Sequence, residues 1–118
     1  MNNRPTTFNF IGEKTSIDGN IHLDGDTHIF GSVKGNITGD QNIKLTIDYT
    51  GQVEGNIHGL KVFIHGQLLG NVINAESIEA TGTAKIKGSI TAKKFLIYPG
   101  AKIDGEIQSI KIESNPSP

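Results

Sequence analysis

The 118-residue chain contains no cysteine and no tryptophan, a single methionine, and aromatic residues at only 6% of its positions. Without cysteine, disulfide bridges, thiolate nucleophiles and thiolate metal ligation are excluded, while the redox compartment is left open. Long apolar runs are missing too. No stretch approaches the ~20 apolar residues of a membrane-spanning helix, and Met1-Asn2-Asn3-Arg4-Pro5-Thr6-Thr7 has no apolar signal-peptide segment. The expectation is a cytoplasmic protein. Nor is there an excess of either charge: 11 basic against 12 acidic side chains leave a formal net charge of −1, with no electrostatic footprint for nucleic acid. No helix of ordinary length fits the apolar pattern anywhere.

What the chain does have is 15 glycines and a short cassette, small–any–aliphatic–any–Gly–polar–aliphatic, that recurs six times. It runs Thr15 to Ile21, Gly31 to Ile37, Gly51 to Ile57, Gly66 to Val72, Ala84 to Ile90 and Ala101 to Ile107. The central glycines Gly19, Gly35, Gly55, Gly70, Gly88 and Gly105 are spaced by 16, 20, 15, 18 and 17 residues. Units this short cannot each enclose a core, so they must stack. Within each cassette the inward candidates alternate with period two, which is the period of a strand.

Aligned cassettes form chemically coherent columns. The position after the glycine runs Asn20, Asn36, Asn56, Asn71, Ser89, Glu106, a column suited to side-chain amide ladders on strands about 4.8 Å apart. The position before the glycine runs Asp18, Lys34, Glu54, Leu69, Lys87, Asp104. It predicts opposite charges on adjacent rungs for Asp18–Lys34, Lys34–Glu54 and Lys87–Asp104. Further strands lie between cassettes at Lys44–Ile47, Lys61–Ile64, Ser77–Ala80 and Phe95–Tyr98, separated by turn residues such as Gly39-Asp40-Gln41-Asn42 and Pro99-Gly100. Phe30, Phe63 and Phe95 fall in strand-like runs and are expected in the core. The predicted fold is all-β, a single-domain parallel β-helix of about six coils over residues 8–112, with polar tails at 1–7 and 113–118.

A coil stack has two open ends with unpaired backbone and an exposed core cross-section, and monomeric solenoids usually need polar caps there. No cap is legible. Phe8, Phe10 and Ile11 are the candidate self-association residues at the N-terminal end, and Ile103, Ile107, Ile110 and Ile112 those at the C-terminal end. Stacking of ends on ends would make the chain its own partner in an open filament.

Site chemistry is thin, and no catalytic, cofactor-binding or metal-binding residue is assigned. Of His22, His28, His58 and His65, the pair His22 and His58 share a column but stand two rungs apart, with Thr38 between them. At about 9.6 Å they are too distant to share a metal. Asp24, Asp26, Asp40 and Asp48 lack the order of a calcium loop, and no P-loop is present.

The six glycine-centred cassettes, the I-G-E-K-T-S-I-D-G-N-I opening at Ile11 to Ile21, and the short polar tails resemble the bactofilins, a bacterial polymer-forming cytoskeletal family. The resemblance covers residues 8–112. It implies a right-handed β-helix that polymerises end to end without nucleotide or other cofactor, like end meeting like end. It further implies a scaffold that organises cell-shape or cell-wall enzymes at the inner face of the cytoplasmic membrane. Many members have an N-terminal targeting peptide, but here Arg4 is the one basic residue among the first thirteen, so any contact of the N-terminal tail with membrane is expected to be weak. Two other readings stay open at this level. One is a left-handed β-helix enzyme like the hexapeptide acyltransferases, although coils of 15 to 20 residues do not hold the 18-residue turn that three hexads require. The other is a soluble β-helix capped by its tails and serving as a binding module.

Overall fold

The structure, a computed structural model, describes residues 8–109. The chain winds through six coils, each crossing three faces, and every strand pairing is parallel. The first face carries the cassette residues before the glycine, Ser16–Asp18, Ser32–Lys34, Gln52–Glu54, Gln67–Leu69, Lys85–Lys87 and Lys102–Asp104, in one 6-stranded sheet. The second and third faces form a continuous 8-stranded sheet. Its strands Ile37–Ile47, Ile57–Ile64, Val72–Ala80 and Ile90–Ile97 bend from one face to the other. Ile21–Leu23 and Ile107–Ser109 complete the second face, and Phe8–Ile11 and Asp26–Ile29 the third.

The register is the one the cassette alignment predicts. Ile17, Val33, Val53, Leu68, Ile86 and Ile103 stack in one column, rung on rung. Register is held at the corner between the first and second faces by the cassette glycines, whose φ angles lie between 142° and 150°. This is a region that side-chain-bearing residues avoid. Space is equally decisive. A Cβ on Gly35, Gly55, Gly70, Gly88 or Gly105 would collide with the carbonyl oxygen of the glycine one coil earlier, whereas a Cβ on Gly19, in the first coil, would meet nothing within 4 Å.

Next to this corner the asparagine column works differently from a stack of paired amides. Each Asn Oδ1 accepts a hydrogen bond from the backbone N–H one coil on: Asn36 N–H to Asn20 at 3.0 Å, Asn56 N–H to Asn36 at 3.1 Å, Asn71 N–H to Asn56 at 3.2 Å and Ser89 N–H to Asn71 at 2.9 Å. A side-chain oxygen thus satisfies a backbone donor where the chain turns out of one sheet toward the next.

Differences in coil length collect at the other two corners: between the second and third faces the pairing shifts between Gly39 and Lys44 and between Ile73 and Ser77, and between the third and first faces Asp48 to Gly51 in one coil stands where His65 and Gly66 suffice in the next. In the 15-residue coil Gly59 and Leu60 turn the chain with φ of 74° and 71°, which folds the Leu60 side chain inward. Gly39 leaves it room, since a Cβ there would lie 2.5 Å from Leu60 Cδ2.

The core is a continuous column of aliphatic side chains, including Val33, Ile37, Leu45, Ile47, Val53, Ile57, Ile64, Leu68 and Ile86. Two of the three expected core phenylalanines lie elsewhere. Phe95 faces inward and packs against the core, but Phe30 and Phe63 point outward, because their neighbours Ile29, Val62 and Ile64 take the inward positions of the alternation. Outside, Phe63 lies under Lys44 Nζ at 5.3 Å, and Phe30 stacks near His28. The three charge pairs all align in register, yet only Lys34 and Glu54 approach closely, at 3.9 Å. Exposed long side chains gain little by closing such pairs.

The collision argument separates two otherwise equivalent substitutions. Gly19→Ala is expected to cost about 1–3 kcal/mol through backbone strain alone. Gly55→Ala must also displace a neighbouring coil, so thermal unfolding should show a clearly larger loss for Gly55→Ala.

Candidate functional site

Among the described residues, strand pairing is two-sided in the middle four coils and one-sided at the extremes. At the N-terminal end Phe8–Ile11, Ser16–Asp18 and Ile21–Leu23 each pair only with the coil that follows. At the other end Lys102–Asp104 and Ile107–Ser109 pair only with the coil before, and among the described residues nothing covers the far side of Lys94–Ile97. Among the described residues each end therefore presents a row of backbone donors and acceptors around an open core section.

Of the N-terminal candidates, Ile11 heads the inward column that continues through Ile29, Ile47, Ile64 and Ala80 to Ile97. Ile17 and Ile21 join it as half-buried members of the end section, a pair not singled out from the sequence. Phe10 does not: it is 65% exposed on the outer surface and stacks on His28 with ring centroids 5.4 Å apart. Phe8 pairs with Asp26. The inward position between them is Asn9, whose Nδ2 donates to Thr27 Oγ1 at 3.2 Å, and that hydroxyl in turn donates to the Gly25 carbonyl at 3.0 Å. The N-terminal section is thus partly polar.

Apart from Ser109, which stands in register with the buried Ala92, the C-terminal section is apolar. Ile103 is half-buried against the core and Ile107 is 45% exposed. Phe95 and Ile97, the latter 39% exposed, share this end and extend the patch beyond the sequence-based candidates. Their signal was present in the alternation Phe95-Leu96-Ile97 of the last coil, which sends the first and third side chains inward. Ile110 and Ile112 lie outside the described residues.

The histidines occupy separate outer sites. His22 Nδ1 is 2.9 Å from Thr38 Oγ1 and its Nε2 is 3.5 Å from Asp24, with His58 one rung beyond Thr38. His28 Nδ1 meets Asp48 Oδ2 at 3.1 Å, and His65 Nδ1 meets Thr81 Oγ1 at 3.1 Å. No group of three His, Cys, Asp or Glu among the described residues could hold a metal ion. The Tyr98 hydroxyl donates to Glu79 Oε2 at 3.1 Å. That hydrogen bond and the carboxylate's charge hold the phenol's pKa above its ordinary value, because ionisation would set two negative charges side by side.

With the coil stack and its open ends in view, comparison with known proteins is decisive. The family model described as bactofilin, polymer-forming cytoskeletal, matches residues 9–108. The chain belongs to the bactofilin family. Among curated relatives it is 34% identical to bactofilin BacO of Myxococcus xanthus, over 82% of this chain and 75% of that protein. It is 27% identical to bactofilin BacP of the same organism, over 87% of this chain but 42% of that protein's length. No solved structure matches the chain. The bactofilin family is thus one of cytoskeletal, structural proteins, and this member's parallel coil stack is the corresponding fold. No helix among the described residues is long and apolar enough to cross a membrane.

Burial in this bactofilin changes along the stack, and substitutions should follow it. Leu68→Ala, in a fully enclosed middle rung, is expected to cost about 2–5 kcal/mol. Ile107→Ala should cost below about 1.5 kcal/mol, since nearly half of that side chain is already in water. Denaturant unfolding at low protein concentration, where ends are unpaired, makes the comparison.

Proposed function

We propose that this chain is a non-enzymatic scaffold that polymerises through its terminal coils, without nucleotide, into filaments that organise cell-shape or cell-wall enzymes at the inner face of the membrane. The observation that carries the reading is the one-sided pairing at both ends around an exposed apolar section, centred on Phe95, Ile97, Ile103 and Ile107 at one end and on Ile11, Ile17 and Ile21 at the other. Contact between ends completes the backbone pairing and removes the core section from water. Its driving force is apolar burial, which requires no bound nucleotide. The family's description as polymer-forming and cytoskeletal supports the same reading.

Like ends meeting like ends is favoured over head-to-tail stacking. If the coil register simply continued into the next copy, Ile97, Ile103 and Ile107 would find Ile11, Ile17 and Ile21, but Asp104 would face Asp18 and Phe95 would face Asn9. Like charges directly opposite one another destabilise a sheet, and a phenylalanine over an amide leaves polar atoms without partners. Contact between two C-terminal sections buries Phe95, Ile97, Ile103 and Ile107 against each other.

Ile107→Arg and Ile11→Arg test both statements, since a charge buried without a partner between coils costs several kcal/mol. Electron microscopy should show filaments for the parent chain and none for either variant. Light scattering then reads the block: with like-end contacts each variant stops at a dimer joined through its intact end, whereas head-to-tail assembly leaves monomers. Filaments from both variants would overturn the proposal.

A further inference from the structure

Away from the first and last coils, the outer surface of the described residues exposes two large apolar side chains, and they border two adjoining depressions. Leu69 is 42% exposed on the first face, in the column where Asp18, Lys34, Glu54, Lys87 and Asp104 place a charge on each of the remaining coils. Tyr49, 72% exposed, stands at the corner leading onto the same face. A groove of about 730 Å³ runs over coils four to six between Gln67, Leu69, Lys85, Lys87, Lys102 and Asp104. A smaller depression of about 330 Å³, walled by Tyr49 and Thr83, shares Gln67 and Lys85 with it, so the two adjoin.

The charge of this strip is one-sided. Lys85 and Lys102 are directly opposite each other in the parallel ladder, and Lys87 lies beside them. None of the three makes an ion pair among the described residues, whereas Lys34 and Lys93 elsewhere on the surface do. Adjacent lysines facing each other without acids repel, and a sheet gains nothing from that arrangement. Asp104 is the one acid in the groove.

We infer that this groove docks a short acidic peptide segment of a partner protein, lying extended across coils four to six with an aliphatic or aromatic side chain between Tyr49 and Leu69 and carboxylates over Lys85, Lys87 and Lys102. Two apolar anchors flanked by unpaired cations form the pattern of a small hot spot with a charged rim. The strands beneath are already paired on both sides over coils four and five, so recognition comes through side chains and not through strand addition. Three cations on a chain of net charge −1 suit a few carboxylates and not the dense phosphates of nucleic acid. The groove reaches the last coil, where Ile103 of the C-terminal section lines it, but its part over coils four and five, with Leu69, Lys85 and Lys87, lies on the side of the stack away from the end contact. Repeated along an assembly, it would hold a multivalent partner more tightly than any single contact.

The probe is a fluorescein-labelled dodecapeptide of alternating Glu and Leu, titrated by anisotropy against the full chain in about 0.1 M salt, where exposed charge interactions persist within a Debye length of about 10 Å. The double variant K85E/K87E should weaken binding about tenfold or more, and Leu69→Ser and Tyr49→Ser should each weaken it several-fold. Lys61→Glu, on the third face, should change it less than about twofold. Circular dichroism checks that each variant keeps the fold. Repeating the titration in the Ile107→Arg background separates docking from assembly, and unchanged affinity is expected. Absence of binding, equal binding by K85E/K87E, or equal binding of a peptide with serine in place of leucine would overturn the proposal. So would stronger binding of anionic phospholipid vesicles than of the peptide through the same residues.

Discussion

In each coil the carbonyl oxygen of the cassette glycine occupies the space that a Cβ on the next coil's glycine would need, and most of the structure depends on that close approach. It permits two successive corners to nest at rung spacing, and it holds the coils in the register that aligns every core column. The backbone bends sharply there, which turns the following N–H away from strand pairing. The asparagine column supplies the acceptor, one coil at a time. Gly19 shows what the constraint is made of: with no coil before it, the space is empty.

Pinning one corner per coil leaves the other corners free to vary. Coils of 15 to 20 residues fit a single register because the surplus is accommodated at the other two corners. Between the second and third faces Leu60 turns inward and the segment around Asp40 to Asn42 bulges outward, and between the third and first Asp48 to Gly51 spans what His65 and Gly66 span in the next coil. The interior is therefore uniform while the surface is not. A stack of equivalent rungs also has no intrinsic stopping point. Its ends are cut sections through the core, and its sides are finished surfaces whose polar columns can diverge without disturbing the stack. Self-association belongs naturally to the first kind of surface and partner recognition to the second.

The fold was largely legible in the chain because period-two alternation and a recurring glycine state both the strand and the rung. The columns of Ile17 and Asn20 could be written down before any coordinates, and so could the rung separating His22 from His58. The end candidates were legible less well. Ile11, Ile103 and Ile107 are inward residues of terminal coils, as the alternation requires. Phe10 drew attention through its hydrophobicity, yet parity sends it outward onto His28, and Asn9 takes the inward place despite its amide. Phe30 and Phe63 mislead in the same way. Hydrophobicity alone does not give direction when a run such as Val62-Phe63-Ile64 is apolar throughout.

The sequence by itself determined the number of coils, the register of the cassettes and the core columns within them, because these follow from local periodicity and from glycine's missing side chain. Only the tertiary structure decided which charge pairs close, that the asparagines accept from backbone and not from each other, and that Tyr49, Leu69, Lys85 and Lys102 border two adjoining depressions. Those residues lie up to 53 positions apart in the chain. Their meeting depends on side-chain reach and on how far each corner swings, and neither quantity is written in a one-dimensional pattern.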